Sequence, residues 1–292
     1  MTKLPLAAGF ALALAGSAFA ADLPSYKAPP PPPPPPPFTW TGLYGGVNVG
    51  YGFNAGGSTV GSQIFRNGTA VPTAFQIGGP SWWLDNNIHG VTGGGQAGYN
   101  YQFNPWFVVG AEFDIQASDI HGNVSGVSGF PAAGGFNPYV GTINSAQHVD
   151  WWGTVRGRLG VTLPSWSNLM VYGTGGFAYG AVNNTYGYGA FVPPIGTPGA
   201  AVANGVYDNT KTGWTAGGGV EWTPLSFPSW SLKAEYLYVD LGSSTVAALG
   251  VGVPTGFVAA AANRTQTRFQ VVRAGVNWHF NPFATAPVLA KY

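Results

Sequence analysis

The chain has no cysteine, which excludes disulfides, thiolate nucleophiles and metal sites built on cysteine. Charge is nearly as scarce: 7% of the 292 residues are Asp, Glu, Lys or Arg, where a soluble domain averages about 25%. A large water-facing surface is hard to keep soluble with so little charge. The formal net charge of +1 leaves no basic footprint for nucleic acid. Long apolar runs are missing as well. Beyond the N-terminus no stretch reaches the roughly 18 apolar residues that mark a membrane helix. What the chain does have is 46 glycines and 15% aromatic residues. Little charge, much Gly and aromatic, and no helical span together fit a transmembrane β-barrel.

The N-terminus points to export. Lys3 supplies a positive start, Leu4 to Gly16 an apolar stretch too short to span a bilayer, and Ala18-Phe19-Ala20 an A-x-A site. Residues 1–20 are therefore expected to be a signal peptide cleaved after Ala20. Residues 21–38 form a proline-rich periplasmic spacer, with nine consecutive prolines at Pro29–Pro37. In polyproline II geometry, at about 3.1 Å per residue, such a run reaches roughly 28 Å. The spacer is a candidate link to the cell wall, and no ligand motif lies in it.

From residue 39 to 280 the pattern is alternation. Val272, Ala274, Val276, Trp278 and Phe280 form an apolar series at a spacing of two, set against Arg273, Gly275, Asn277 and His279. This is a strand with one greasy and one wet face. Seven further stretches read likewise, beginning at Trp40, Val91, Phe107, His148, Leu169, Thr212 and Trp230. In the fourth, Val149 and Trp151 are expected to share the apolar face, opposite His148 and Asp150. Short connections at 104–106, 164–168 and 224–229 alternate with long ones near 54–90, 119–147, 182–211 and 242–262. The expected fold is all-β: an eight-stranded antiparallel up-and-down transmembrane barrel with four long extracellular loops and three short periplasmic turns. Residues 281–292 are expected to hang as a periplasmic tail.

Two sets of side chains stand out. Tyr101, Phe103, Trp106, Trp166, Trp222, Trp230 and Trp278 collect near the short turns and the last strand, as an aromatic girdle at one lipid–water interface. Glu112, Asp114, Arg156, Arg158, Glu221, Lys233, Glu235 and Arg273 fall on the inward parity. Four acids and four bases inside a bore only wide enough for side chains should interlock as ion pairs, since an unpaired buried charge is costly. Lining a pore is the alternative role. Glu112 and Asp114 at i, i+2 beside arginines do not look like glycosidase carboxylates. His89, His121, His148 and His279 are scattered without metal-ligand spacing. The triple glycines at 93–95 and 217–219 precede no helix and no Lys-Ser/Thr, so they are not phosphate loops.

The segments AADLPSYKAPPPPP, FTWTGLYGGVNVGYGF, LKAEYLYVDLG and VVRAGVNWHF resemble the small outer-membrane β-barrel proteins of alphaproteobacteria, a porin-labelled group related to the transmembrane domain of OmpA. The resemblance implies an abundant, surface-exposed antigen in the outer membrane; with no catalytic or metal motif read in the residues, neither enzymatic activity nor a cofactor is expected. Its partners would be outer-membrane lipid, lipopolysaccharide and the assembly machinery. Some members of that family bind haem or form small channels; His121, Tyr186 and Tyr188 are the candidates for a ligand held by the loops. Phe280 matches the family's terminal assembly aromatic, although the chain continues twelve residues beyond it.

Overall fold

The computed structural model describes residues 38–66, 69–70, 82–130, 139–163, 165–191, 201–252 and 257–280. The signal peptide, most of the proline spacer and the C-terminal tail expected above lie outside these residues. The strands are β1 (Gly42–Asn54), β2 (Ser58–Arg66), β3 (Thr69–Ala70), β4 (Trp82–Leu84), β5 (His89–Gln102) and β6 (Phe107–Phe130). They continue as β7 (Tyr139–Leu163), β8 (Trp166–Phe191), β9 (Ala201–Trp222), β10 (Trp230–Gly252) and β11 (Phe257–Phe280).

Eight of them form a closed antiparallel ring, β1-β5-β6-β7-β8-β9-β10-β11, sealed by β11 pairing back on β1 from Leu43↔Phe280 to Asn54↔Phe269. Closure is what lets a sheet sit in lipid, because no strand edge is left without hydrogen bonds. The outward face is the apolar one: Val47, Val49, Leu159 and Val171 are all more than half exposed on it. Tyr101, Phe103, Trp106, Trp166, Trp222, Trp230, Trp278 and Phe280 are exposed near the short turns, and Trp230 meets Trp278 edge-on with ring centroids 4.6 Å apart. At the other limit of the apolar face a second band carries Tyr51, Phe53, Phe177, Trp214 and Tyr236.

The strands run further than alternation alone suggested. β6, β7, β8 and β9 have 22–26 residues each, so much of the expected loops at 119–147 and 182–211 is strand. The wall divides in this extension. β9–β10 pairing stops at Trp214↔Asp240 and β5–β6 pairing stops at His89↔His121. Beyond those points β6–β9 continue as one sheet, and β10, β11 and β2 as another, with β2 running along β11 from Ser58↔Thr265 to Arg66↔Phe257. Side chains join the two sheets, for example Asn184 Nδ2 donating to Ser244 Oγ at 2.8 Å.

One expectation on β7 is overturned. Its register shifts between Val149 and Trp151, and the extra residue reverses which parity faces inward. Val149 is therefore fully buried, while His148 and Asp150 face out. A second shift, between Asp240 and Ser243 on β10, does the same, helped by Gly242 at φ +77°, a conformation that glycine adopts without strain.

Candidate functional site

The bore is filled in layers. Nearest the short turns, Trp40, Val108, Met170 and Tyr172 pack together, and Trp40 Nε1 donates to the Ser167 carbonyl at 2.9 Å. Next comes the charged layer, where all eight inward-parity charges lie buried. Register explains their meeting. Glu112↔Arg156, Glu235↔Arg273 and Lys233↔Glu221 are direct cross-strand partners, and opposite charges so placed attract.

Glu112 is the hub. It accepts from Lys233 Nζ at 3.0 Å and from the Tyr44 hydroxyl at 2.8 Å, pairs with Arg156, and lies 3.4 Å from Arg158 and 3.5 Å from Arg273. Asp114 accepts from Arg156 at 2.9 Å, Arg273 at 3.0 Å and the Thr154 hydroxyl at 2.7 Å. Glu235 takes Arg156 at 3.0 Å, Arg273 at 2.7 Å and the Tyr172 hydroxyl at 2.9 Å. Glu221 takes Arg158 at 2.8 Å and Asn277 at 2.7 Å, and lies 3.3 Å from His279 Nε2. The Arg158 guanidinium also sits 3.9 Å from the centroid of the Tyr172 ring. Ionised groups in multidentate contact hold one another in place more firmly than neutral bonds do. Among the described residues Asp114 Oδ1, Arg158 Nε and Arg273 Nη1 have no hydrogen-bond partner, so the layer is tight without being saturated.

Tyr44 and Tyr172 belong to this layer although alternation drew no attention to them. The signal was the glycine opposite each. A Cβ on Gly98 would lie 2.3 Å from the Tyr44 hydroxyl, and one on Gly219 would lie 2.7 Å from that of Tyr172. The missing side chains make room for the rings.

Above the charges lies an apolar layer, Ile88, Ile120, Val149, Trp152, Val182, Leu237, Val239, Phe269 and Val271 among its members, all fully buried. Trp152 and Phe269 meet edge-on at 5.6 Å. Leu237, Val239 and Val271 occupy the same inward parity as the charges, so the greasy bore was written in the sequence. Higher still the lining turns polar: Gln147 Nε2 donates to Thr267 Oγ1 at 2.8 Å, and Lys211 is buried with its ammonium 3.4 Å from Thr267 Oγ1 and 5.8 Å from the Tyr207 ring centroid. Burial pushes this ammonium down to about 8, against the charge of Asp240, which raises it.

On the outside, register gathers what the sequence scatters. His89 pairs with His121, and His121 with His148, giving a row of rings 6.4 and 5.8 Å apart. Asp119 lies 3.2 Å from His121 Nδ1, and Asp150 lies 3.6 Å from His148 Nε2. His279 stays apart, against Glu221. The proposed loop ligands do not converge: His121 faces outward, whereas Tyr186 and Tyr188 are buried on the inner face. No group of three His, Asp or Glu among the described residues is arranged to hold a metal ion.

The matching family agrees with this architecture. The family described as "Outer membrane protein beta-barrel domain" matches residues 8–280. The "31 kDa outer-membrane immunogenic protein" of Brucella melitensis is 36% identical over 280 residues, covering 95% of this chain and all of that protein. Among solved structures, OprG of Pseudomonas aeruginosa is 13% identical, with a TM-score of 0.36 over 83% of this chain and 99% of its own. Ail of Yersinia pestis is 15% identical, with a TM-score of 0.29 over 82% of this chain and 99% of its own.

Proposed function

The chain belongs to the outer-membrane β-barrel protein family, and from that premise we propose that it is a non-enzymatic surface barrel whose bore is stoppered by its own side chains. In this reading the short turns face the periplasm and the long hairpins face outside. The hairpins are the working surface, as the immunogenic Brucella relative also suggests by name. One observation carries the stopper: a charged layer and an apolar layer are stacked across the same bore, and side chains in both are fully buried. An ion crossing would have to separate buried salt bridges and then pass a dry constriction, and both steps cost desolvation.

Single-channel recording on the refolded protein in planar bilayers tests this. The expected trace is flat at neutral pH. Reproducible steps of uniform size would overturn the stopper and favour a narrow porin.

A further inference from the structure

We infer that the notch where β9 and β10 part is a binding site for the phosphate groups of an outer-leaflet glycolipid. The inference rests on the outer-membrane placement and on the hairpins facing outside.

Cations are distributed unevenly over this barrel. Arg156, Arg158, Lys233 and Arg273 are consumed in the bore, and Lys211 is buried above them. Among the described side chains only Arg264 and Arg268 point outward, and both stand in one notch of about 240 Å³ with Trp214, Asp240, Ser243 and Gln266. The notch has a structural origin. β9–β10 pairing ends at Trp214↔Asp240 while the β10 bulge displaces the chain between Asp240 and Ser243. The wall opens there on its outer face.

Height decides what the notch can meet. Arg268 lies twelve residues along β11 from Phe280, with Val272, Ala274, Val276 and Trp278 on the same face between them. At about 3.3 Å per residue and a tilt near 40°, Arg268 sits roughly 30 Å above the lower aromatic rim, just past an apolar band of about 25 Å. Directly beneath the notch, the Trp214 and Tyr238 rings lie 5.4 Å apart in the upper aromatic band. Two guanidiniums immediately above such a band stand at the level of lipid headgroups.

Their donors are only partly used. Arg268 gives Nε to Asp240 at 2.9 Å and Nη1 to Gln266 at 3.1 Å. Arg264 gives Nε to Ser243 at 3.3 Å. Among the described residues Arg268 Nη2 and both Nη groups of Arg264 have no acceptor. Asp240, the one carboxylate in the notch, neutralises one guanidinium and fixes Arg268 in place, which leaves one positive charge. Planar N–H forks of this kind match phosphate oxygens. Ser243 and Gln266 suit sugar hydroxyls, and the exposed Trp214 ring suits a sugar face or an acyl chain.

The test is lipid retention by the folded barrel in detergent, read by native mass spectrometry, with the heat-dependent gel shift confirming the fold of each variant. Bisphosphorylated lipid A should bind the wild type at least tenfold more tightly than it binds Arg264→Gln/Arg268→Gln. Dephosphorylated lipid A should bind both proteins alike, at the weaker level. Equal retention of the two lipids by the wild type, or an unchanged affinity in a folded double variant, would overturn the site. Competition by inorganic phosphate at a concentration equal to the lipid would reassign the notch to a soluble anion and overturn the lipid assignment. Because neither arginine touches the bore, this result is independent of the conductance trace.

Discussion

The two stacked layers of the bore close the same opening by different physics. In the charged layer every member depends on its neighbours: Glu112 alone faces Arg156, Arg158, Lys233 and Arg273. In the apolar layer Leu237, Val271 and Phe269 are held by contact and by exclusion of water. Losing one partner strands charges in the first case and leaves a hole in the second. The charged layer is therefore the more specific and the more fragile of the two. The apolar layer is the more forgiving.

The largest effect should come from breaking that hub. Glu112→Gln keeps the shape but removes the charge answered by four cations, and should cost about 3–5 kcal/mol. Urea unfolding in lipid vesicles measures this, and Lys233→Met added to Glu112→Gln should recover part of the loss. If the double variant is destabilised by the simple sum of the two, the layer does not act as a unit. A smaller effect is expected from Leu237→Ala, about 2–3 kcal/mol from lost burial and a partly collapsed cavity. Under the same denaturant series this variant should keep a flat conductance trace. A stability loss in Leu237→Ala equal to that in Glu112→Gln would erase the distinction between the layers.

The smallest effect lies above both layers and depends on pH. The Lys211 ammonium is lowered by burial to about 8 in the folded chain, while a free lysine titrates near 10.4. Between those values the unfolded chain holds the proton that the folded chain has released, so stability rises with pH across that window. Thermal midpoints of the gel shift at pH 8, 9 and 10 should climb in the wild type. They should stay level in Lys211→Met, and an equal climb in the variant would remove Lys211 as the cause.

Much of this was legible without coordinates. Parity along Phe107–Ile115 and Trp230–Tyr238 separates lipid face from bore, because a strand repeats every two residues. What parity cannot do is survive an inserted residue. The shift at Asp150 moved Val149 inward and brought His148 out beside His121, so the row of histidines was invisible from spacing along the chain. Long-range register decides which strands meet at which height, and that information is shared among all eight strands rather than held by any one. The extensions beyond the lipid band were obscured for a different reason. Asn, Thr, Tyr and Gly fill segments such as Asn183–Gly189, and in these strands there is no lipid face to demand a greasy alternation.

The pairing of Arg273 with Asp114 across the β1–β11 seam has a further consequence, for assembly. Barrel closure must select one alignment of β11 against β1 from several that differ by two residues and keep every side chain on its proper face. A slip of that size at the seam moves Arg273 by roughly 7 Å relative to Asp114 on β6, out of reach of that carboxylate, while Glu235 on β10 travels with Arg273 as its cross-strand partner. The charged layer therefore acts as a gauge during insertion: only the correctly aligned cylinder satisfies it, and a misaligned one is left with stranded charge on its inside.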